Sequence, residues 1–260
     1  IYNLERAAIA AISQVQARPI QVKHGYFDPE VIHAAISAGD IQRPKTALIC
    51  IENTYDLNRG QIVTVENMKE IREVADKHEL PIFLDGARMF NAAVELDVPP
   101  KDLCQYVDAV QFCLTKGLGC PLGSILAGTS EFIREAKLNR QRIGGGMRQA
   151  GIIAAPGLYA LDHMINRLKE DHEGAKYLAK QLSGMDGLSI NLNEVQTNIV
   201  SPHIIKDGWN ADMLIEQLLD KNIKVKRIGE NEVRMIVHYQ ITDQDLDDIV
   251  SSFEQILSSK

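Results

Sequence analysis

Short apolar runs at residues 46–51, 81–84 and 109–114 alternate with stretches in which apolar side chains recur at helical spacing, and this alternation constrains the fold more than any other feature of the chain. The runs are too brief for helices and lack polar alternation, so they read as strands buried on both faces. Between the first two, Met68, Ile71, Val74 and Ala75 recur against Lys and Glu over residues 66–79, the pattern of an amphipathic helix. Further helices are expected at 2–14, at 29–38 with Asp28 as N-cap ahead of Pro29, at 87–96, at 130–140 and along 147–183, with another strand at 124–127. Strands alternating with helices in this way predict an α/β fold with a mostly parallel sheet covered on both faces.

From about residue 187 the rhythm changes. Short strands at 188–192, 197–201, 223–227 and 232–237 enclose a helix at 210–220, and a helix at 242–257 follows. The division expected is a large domain over 1–184 and a small C-terminal α/β domain over 185–260. At its other end the sequence opens on Ile1, in what reads as the interior of a helix without cap or polar lead. An upstream stretch, or a separate N-terminal segment, is therefore expected.

Composition narrows the partners. Of 260 residues, 45% are hydrophobic and 24% charged, the balance of a globular protein with a sizeable core. A net charge of -7 argues against a nucleic-acid or acidic-membrane surface, both of which require clustered Lys and Arg, and leaves a small molecule as the expected partner. No apolar stretch is long enough to cross a bilayer and no basic-then-apolar signal opens the chain, so the expected location is the cytoplasm. Cys50, Cys104, Cys113 and Cys120 form no CxxC pair and read as buried, reduced thiols. His163 and His172 lie in charged helical stretches without a ligand partner at i, i+4, and no metal is expected.

In parallel α/β sheets ligands sit beyond the carboxyl ends of the strands. Three polar exits stand there: Glu52-Asn53-Thr54-Tyr55, Asp85-Gly86-Ala87-Arg88 and Thr115-Lys116-Gly117-Leu118-Gly119. Lys116 follows an apolar run and precedes two glycines, a setting in which a poorly solvated amine loses its charge and becomes able to form a Schiff base. On position alone, a strand-end lysine snorkelling to water is the commoner case. Asp85 ends another strand, where its carboxylate can hold a pyridine nitrogen protonated; on its own, Asp-Gly after a strand is more often a turn.

Four segments taken together carry a family resemblance. Ile51-Glu52-Asn53-Thr54, Leu84-Asp85-Gly86-Ala87-Arg88-Met89-Phe90-Asn91-Ala92-Ala93, Phe112-Cys113-Leu114-Thr115-Lys116-Gly117-Leu118-Gly119 and Gly144-Gly145-Gly146-Met147-Arg148-Gln149-Ala150-Gly151 resemble, in the same order, the low-specificity L-threonine aldolases. These are pyridoxal 5'-phosphate (PLP) enzymes of the aspartate-aminotransferase fold group, fold type I. The resemblance implies aldol cleavage of β-hydroxy-α-amino acids, L-threonine or L-allo-threonine, to glycine and acetaldehyde. It implies that Lys116 carries PLP as a Schiff base, that Thr115 lies beside it and that Asp85 pairs with the pyridine nitrogen. Arg88 would contact the cofactor's phenolic oxygen or the substrate carboxylate, and Arg234 would bind that carboxylate from the small domain. Arg148 would reach the cofactor phosphate, often across a subunit boundary, so a homo-oligomer is expected. Taken alone, Arg234 in an apolar strand reads as an ion-pair partner and the 144–146 glycines as a plain loop.

The chain departs from the family at two places. Gln42 stands where a histidine usually precedes the Glu-Asn-Thr strand, and Tyr55 stands where histidine usually follows that motif. Glutamine is no general base at neutral pH; it can still hydrogen-bond the substrate hydroxyl, whose proton would then leave through water or another group. Gln42 and Tyr55 are accordingly taken as a catalytic and a substrate-binding candidate. Two rival readings remain open here: another PLP reaction (β-elimination, aminotransfer or racemisation), and a catalytically inert subunit that keeps the fold.

Overall fold

The computed structural model describes residues 1–22 and 25–258. The predicted alternation is realised as a four-stranded sheet of Ile49–Glu52 (β1), Ile82–Asp85 (β2), Ala109–Cys113 (β3) and Ser124–Gly128 (β4), in the order β1-β2-β3-β4. The first three strands run parallel and β4 returns antiparallel to β3. Around them lie Ala8–Ala11 (α1), Pro29–Ala35 (α2), Val65–Lys77 (α3), Met89–Glu95 (α4), Pro100–Cys104 (α5), Ser130–Arg142 (α6), Gly151–His163 (α7) and Leu168–Ser183 (α8).

Local chemistry explains where these helices start. Asp28 caps α2 by accepting from Glu30 N, with Pro29 in the first turn, and Thr64 caps α3 by accepting from Asn67 N. The predicted apolar stripe of α3 is its buried face: Met68, Ile71, Val74 and Ala75 pack with Ile51, Ile82, Leu84, Leu103 and Leu114 in one core. Burying a side chain the size of Ile71 is worth about 1.5–3 kcal/mol, so this stripe fixes the helix against the sheet.

A second core is built by Leu188–Ser189 (β5), Ile199–Val200 (β6), His203–Ile204 (β7), Ala211–Asp220 (α9), Lys226–Arg227 (β8), Val233–Ile236 (β9) and Asp243–Ser258 (α10). Here β6, β9 and β8 form an antiparallel sheet while β5 pairs with β7. α8 serves both cores, with Leu168 in the first and Ala175, Leu178 and Leu182 in the second. Trp209 packs against the second core just before α9, with the Lys206 ammonium 4.4 Å from its ring centroid.

Several expectations are corrected. Residues 2–14 do not form one helix: Glu5, Arg6 and Ala7 have φ of 60°, 54° and 59°, and only the single turn α1 follows. Ile1, Tyr2, Leu4, Ile12 and Val15 are exposed, and a short helix whose apolar stripe packs on nothing is marginal in water. β1 is covered on one face only, because Ile51 enters the core while Cys50 points out; of the four free thiols only Cys120 is buried. The stretch 147–183 is two helices, α7 beginning only after Gln149 (φ 53°) and giving way to α8 at 164–167. No helix among the described residues is long and apolar enough to cross a membrane.

Candidate active site

The three strand exits meet along one end of the sheet. Glu52 and Asp85, the last residues of β1 and β2, are opposite each other in register, and Gln111 of β3 is opposite Asp85. The backbone continues the row: Asn53 N donates to the Asp85 carbonyl (3.0 Å) and Gly86 N to the Gln111 carbonyl (2.8 Å). The half-buried Asp85 carboxylate accepts at Oδ1 from Ala87 N (3.2 Å) and from Gln111 Nε2. Only glycine suits position 86, since a Cβ there would lie 2.9 Å from the Gln111 carbonyl oxygen and 3.1 Å from Met89 Cβ.

Two arginines from different cores converge beside this row. Arg88, at the start of α4, and Arg234, in the middle of β9, are both buried. Arg88 Nη1 donates to Asp56 Oδ1 at 2.7 Å, and Arg234 Nη2 donates to that same oxygen. The loop that carries Tyr55 and Asp56 is pinned at its base, where Asn53 Nδ2 donates to the Val63 carbonyl (2.9 Å) and Val63 N to Asn53 Oδ1 (3.1 Å). It is also tied to the second core, by Arg59 to Glu232 (2.6 Å) and Glu194 (3.3 Å), and by Thr197 Oγ1 to the Gly60 carbonyl (3.1 Å).

Charge is concentrated here. Burial pushes the Glu52 carboxyl above its ordinary range; the hydrogen bond from Asp56 N opposes this, and the charges of Asp85 and Asp56 add to it. Burial also pulls Arg234 below its ordinary value, against the attraction of Asp56 and with the repulsion of Arg88. Two buried polar atoms at the site, Arg234 Nε and Thr54 Oγ1, have no hydrogen-bond partner among the described residues. Such groups are costly to bury and mark where polar ligand atoms would fit.

The lysine exit behaves differently from its expectation. Lys116 is exposed, not buried, and makes no hydrogen bond or ion pair through its side chain among the described residues. The cause is the packing of the loop: Leu114, Leu118 and Cys120 turn inward while Thr115 and Lys116 face out, with Cys120 N donating to the Leu114 carbonyl (2.9 Å). Gly117 holds the loop close to its neighbours, since a Cβ there would stand 2.6 Å from Leu168 Cδ2 and 3.4 Å from Asn91 Oδ1.

Of the predicted residues, Arg88 and Arg234 are brought together through Asp56; Tyr55 adjoins Asp56 in sequence, Asp85 lies in the adjacent row and Thr115 and Lys116 follow the next strand. Gln42 and Arg148 are joined to none of them by a hydrogen bond or ion pair among the described residues. Gln42 lies exposed in a turn where Asp40 Oδ1 accepts from Gln42 N (2.8 Å) and Arg43 N (2.9 Å). Arg148 is exposed just ahead of α7. Asp56 and Gln111 were missed by residue reasoning; Asp56 lies one residue beyond the polar exit inspected, and Gln111 is disguised inside an apolar run. His172, in its charged helical stretch, is buried, its Nδ1 3.1 Å from Glu95 and its Nε2 3.1 Å from Asn91. Among the described residues, no group of three His, Cys, Asp or Glu is placed to hold a metal ion.

With this geometry in hand, comparison places the chain among α/β enzymes of one architecture. It superposes on a putative L-allo-threonine aldolase of Listeria monocytogenes EGD-E with a TM-score of 0.79 at 20% identity, covering 97% of this chain and 71% of that one. It superposes equally, at 0.79 and 17% identity, on the threonine aldolase of Leishmania major, covering 97% and 74%. The family model described as beta-eliminating lyase matches residues 1–204. Low-specificity L-threonine aldolase 1 of Arabidopsis thaliana is 37% identical over 262 residues, 99% of this chain and 73% of that protein. The low specificity L-threonine aldolase of Escherichia coli (strain K12) is 32% identical over 260 residues, 99% and 74%. The chain belongs to the beta-eliminating lyase family and, within it, to the low-specificity L-threonine aldolases. PLP is the cofactor of this family, and the donor set fits it: a carboxylate held by two donors at the end of β2, and an accessible lysine amine, without a side-chain partner among the described residues, beyond the end of β3.

Proposed function

We propose that this chain cleaves β-hydroxy-α-amino acids, L-threonine or L-allo-threonine, to glycine and acetaldehyde with PLP as cofactor. The observation that carries this reading is the convergence of buried Arg88 and Arg234 on one carboxylate oxygen, that of Asp56, beside the Asp85 row: the pair is arranged to hold a carboxylate, as the binding of an amino acid requires. When bound, the cofactor supplies an electron sink for the pair left on Cα as the Cα–Cβ bond breaks. The protein's own residues do the rest. Lys116 offers the amine to which the cofactor bonds, and Thr115 lines that exit. Asp85, oriented by Ala87 N and Gln111, holds a proton on the pyridine nitrogen.

Arg88 and Arg234 bind and orient the substrate carboxylate, and Tyr55 lies alongside the substrate. Gln42 has no titratable group and stands in an exposed turn apart from the other site residues, so its part is confined to a hydrogen bond to the β-hydroxyl, whose proton leaves to water, and requires that turn to reach the substrate. Arg148 binds the cofactor phosphate from a second copy of the chain. A homo-oligomer is supported by the apolar side chains that follow Arg148: Ile152, Leu158 and Tyr159 of α7 are 74%, 67% and 62% exposed, surface that a second copy of the chain would cover. A cytoplasmic location and a division at residues 184 and 185, with α8 shared by both domains, complete the proposal.

The test is product analysis with threonine in the presence of PLP. Glycine and acetaldehyde in equal amounts are expected; ammonia with a keto acid would instead assign another reaction to the same site.

A further inference from the structure

Asp56 heads the helical turn Asp56–Asn58, directly after the exit of β1, and its carboxylate lies where Arg88 and Arg234 meet. The contact is an imperfect match. Each guanidinium gives one N–H to a single shared oxygen, and buried Arg234 Nε is left without a partner among the described residues. A planar guanidinium pairs best with both oxygens of a carboxylate through two parallel N–H donors, a geometry this shared contact does not supply. The arginine side chains are 8% and 7% exposed, whereas Asp56 is 24% exposed, so the resident acid sits on the open side of the pair.

We infer that Asp56 is a specificity-determining residue: its carboxylate occupies the two-arginine clamp and competes with the α-carboxylate of the substrate, which must displace it to bind. The inference rests on the reading of Arg88 and Arg234 as the substrate clamp. Simultaneous occupancy is disfavoured by charge. Glu52 is hydrogen-bonded to the Asp56 backbone (3.1 Å) and its charge, like that of Asp56, acts on Arg234, so an incoming carboxylate would join two others beside the guanidinium groups. Displacement also needs little movement of the scaffold. The loop stays anchored at Asn53, Arg59 and Gly60 while the short Asp56 side chain swings from its turn.

The test uses the PLP-loaded protein and three probes: glycine, propionate as a carboxylate without an amine, and methylamine as an amine without a carboxylate. Their dissociation constants are measured by titration calorimetry for the wild type, D56N, R234K and the double variant D56N/R234K. D56N is expected to bind glycine and propionate at least about tenfold more tightly while methylamine is unaffected; D56A is expected to move the same way and serves where the Asn variant fails to fold. Unchanged or weaker glycine binding in D56N and D56A, with R234K still losing affinity, overturns the role of Asp56 and leaves the clamp standing. If R234K and the double variant bind glycine as their parents do, the clamp itself is wrong and the inference falls with it. Tighter methylamine binding by D56N would also overturn it, because the gain would then not belong to the carboxylate.

Discussion

Gln111 and Asp85 face each other across the β2–β3 register, and the Gln111 side-chain amide donates to Asp85 Oδ1. The pair joins a strand-interior residue to the carboxylate assigned to the pyridine nitrogen. Hydrogen bonds to a charged group are worth about 1.5–3 kcal/mol, which corresponds to at least tenfold in an equilibrium constant. Gln111→Leu, which fills the same space without the donor, is expected to weaken PLP binding about tenfold or more while leaving the far-ultraviolet circular dichroism unchanged. A PLP titration followed by absorbance checks it; undiminished affinity would mean that Asp85 needs no orienting partner.

Arg234 reaches the site from β9 and brings the second core to the shared contact with Asp56, the proposed clamp. Lysine keeps the charge but loses the planar fork, so Arg234→Lys is expected to raise KM for threonine by about 10- to 100-fold, matching the loss of a charged hydrogen bond. The change in kcat should be smaller, since orientation of the bound substrate still depends on Arg88. Steady-state kinetics with acetaldehyde detection separates the two constants. A fall in kcat at constant KM would place Arg234 outside substrate binding.

Glu52 links stability to pH. Burial, reinforced by the charges of Asp85 and Asp56, holds its carboxyl above the ordinary value of 4.5 in the folded state despite the hydrogen bond from Asp56 N. A carboxyl raised on folding contributes its full stability below the unfolded value and loses it as pH rises through the folded value, because the unfolded chain ionises first. Glu52→Gln keeps the acceptor for Asp56 N and removes the ionisation. The variant should therefore match the wild type near pH 4.5 and become progressively more stable than it as pH rises toward neutrality. Urea unfolding at several pH values measures the difference; a constant gap across the range would show that Glu52 is not perturbed.

Much of this was legible in the sequence, and the reasons are physical. The strands β2 and β3 and the helix α3 declared themselves because each element's pattern matches the surface it buries, apolar runs for the central strands and one stripe at Met68, Ile71, Val74 and Ala75, whereas the run at β1 implied a second covered face that Cys50 does not have. Asp85 and Arg88 stood out because strand ends in a parallel sheet point at the ligand crevice. Residues whose role depends on a partner from another element did not. Gln111 is chosen by register with Asp85, and His172 is buried only because α8 packs on α4. β7 is two residues long, too short for any periodicity to show. Local pattern misled over residues 2–14, where helical spacing exists but Tyr2, Leu4 and Ile12 stay exposed. It misled again at Lys116, where the apolar strand before it implied burial while Leu114 and Leu118 take the inward positions.

The central claim is that Lys116 is the residue to which the cofactor bonds. Borohydride reduction of the PLP-loaded protein followed by peptide mass analysis addresses it directly. The expected result is a stable pyridoxyl adduct on the peptide containing Lys116 in the wild type and none at any lysine in Lys116→Ala, with threonine cleavage lost in the variant. An adduct of undiminished yield in Lys116→Ala, or one located on a different lysine in the wild type, would contradict the account.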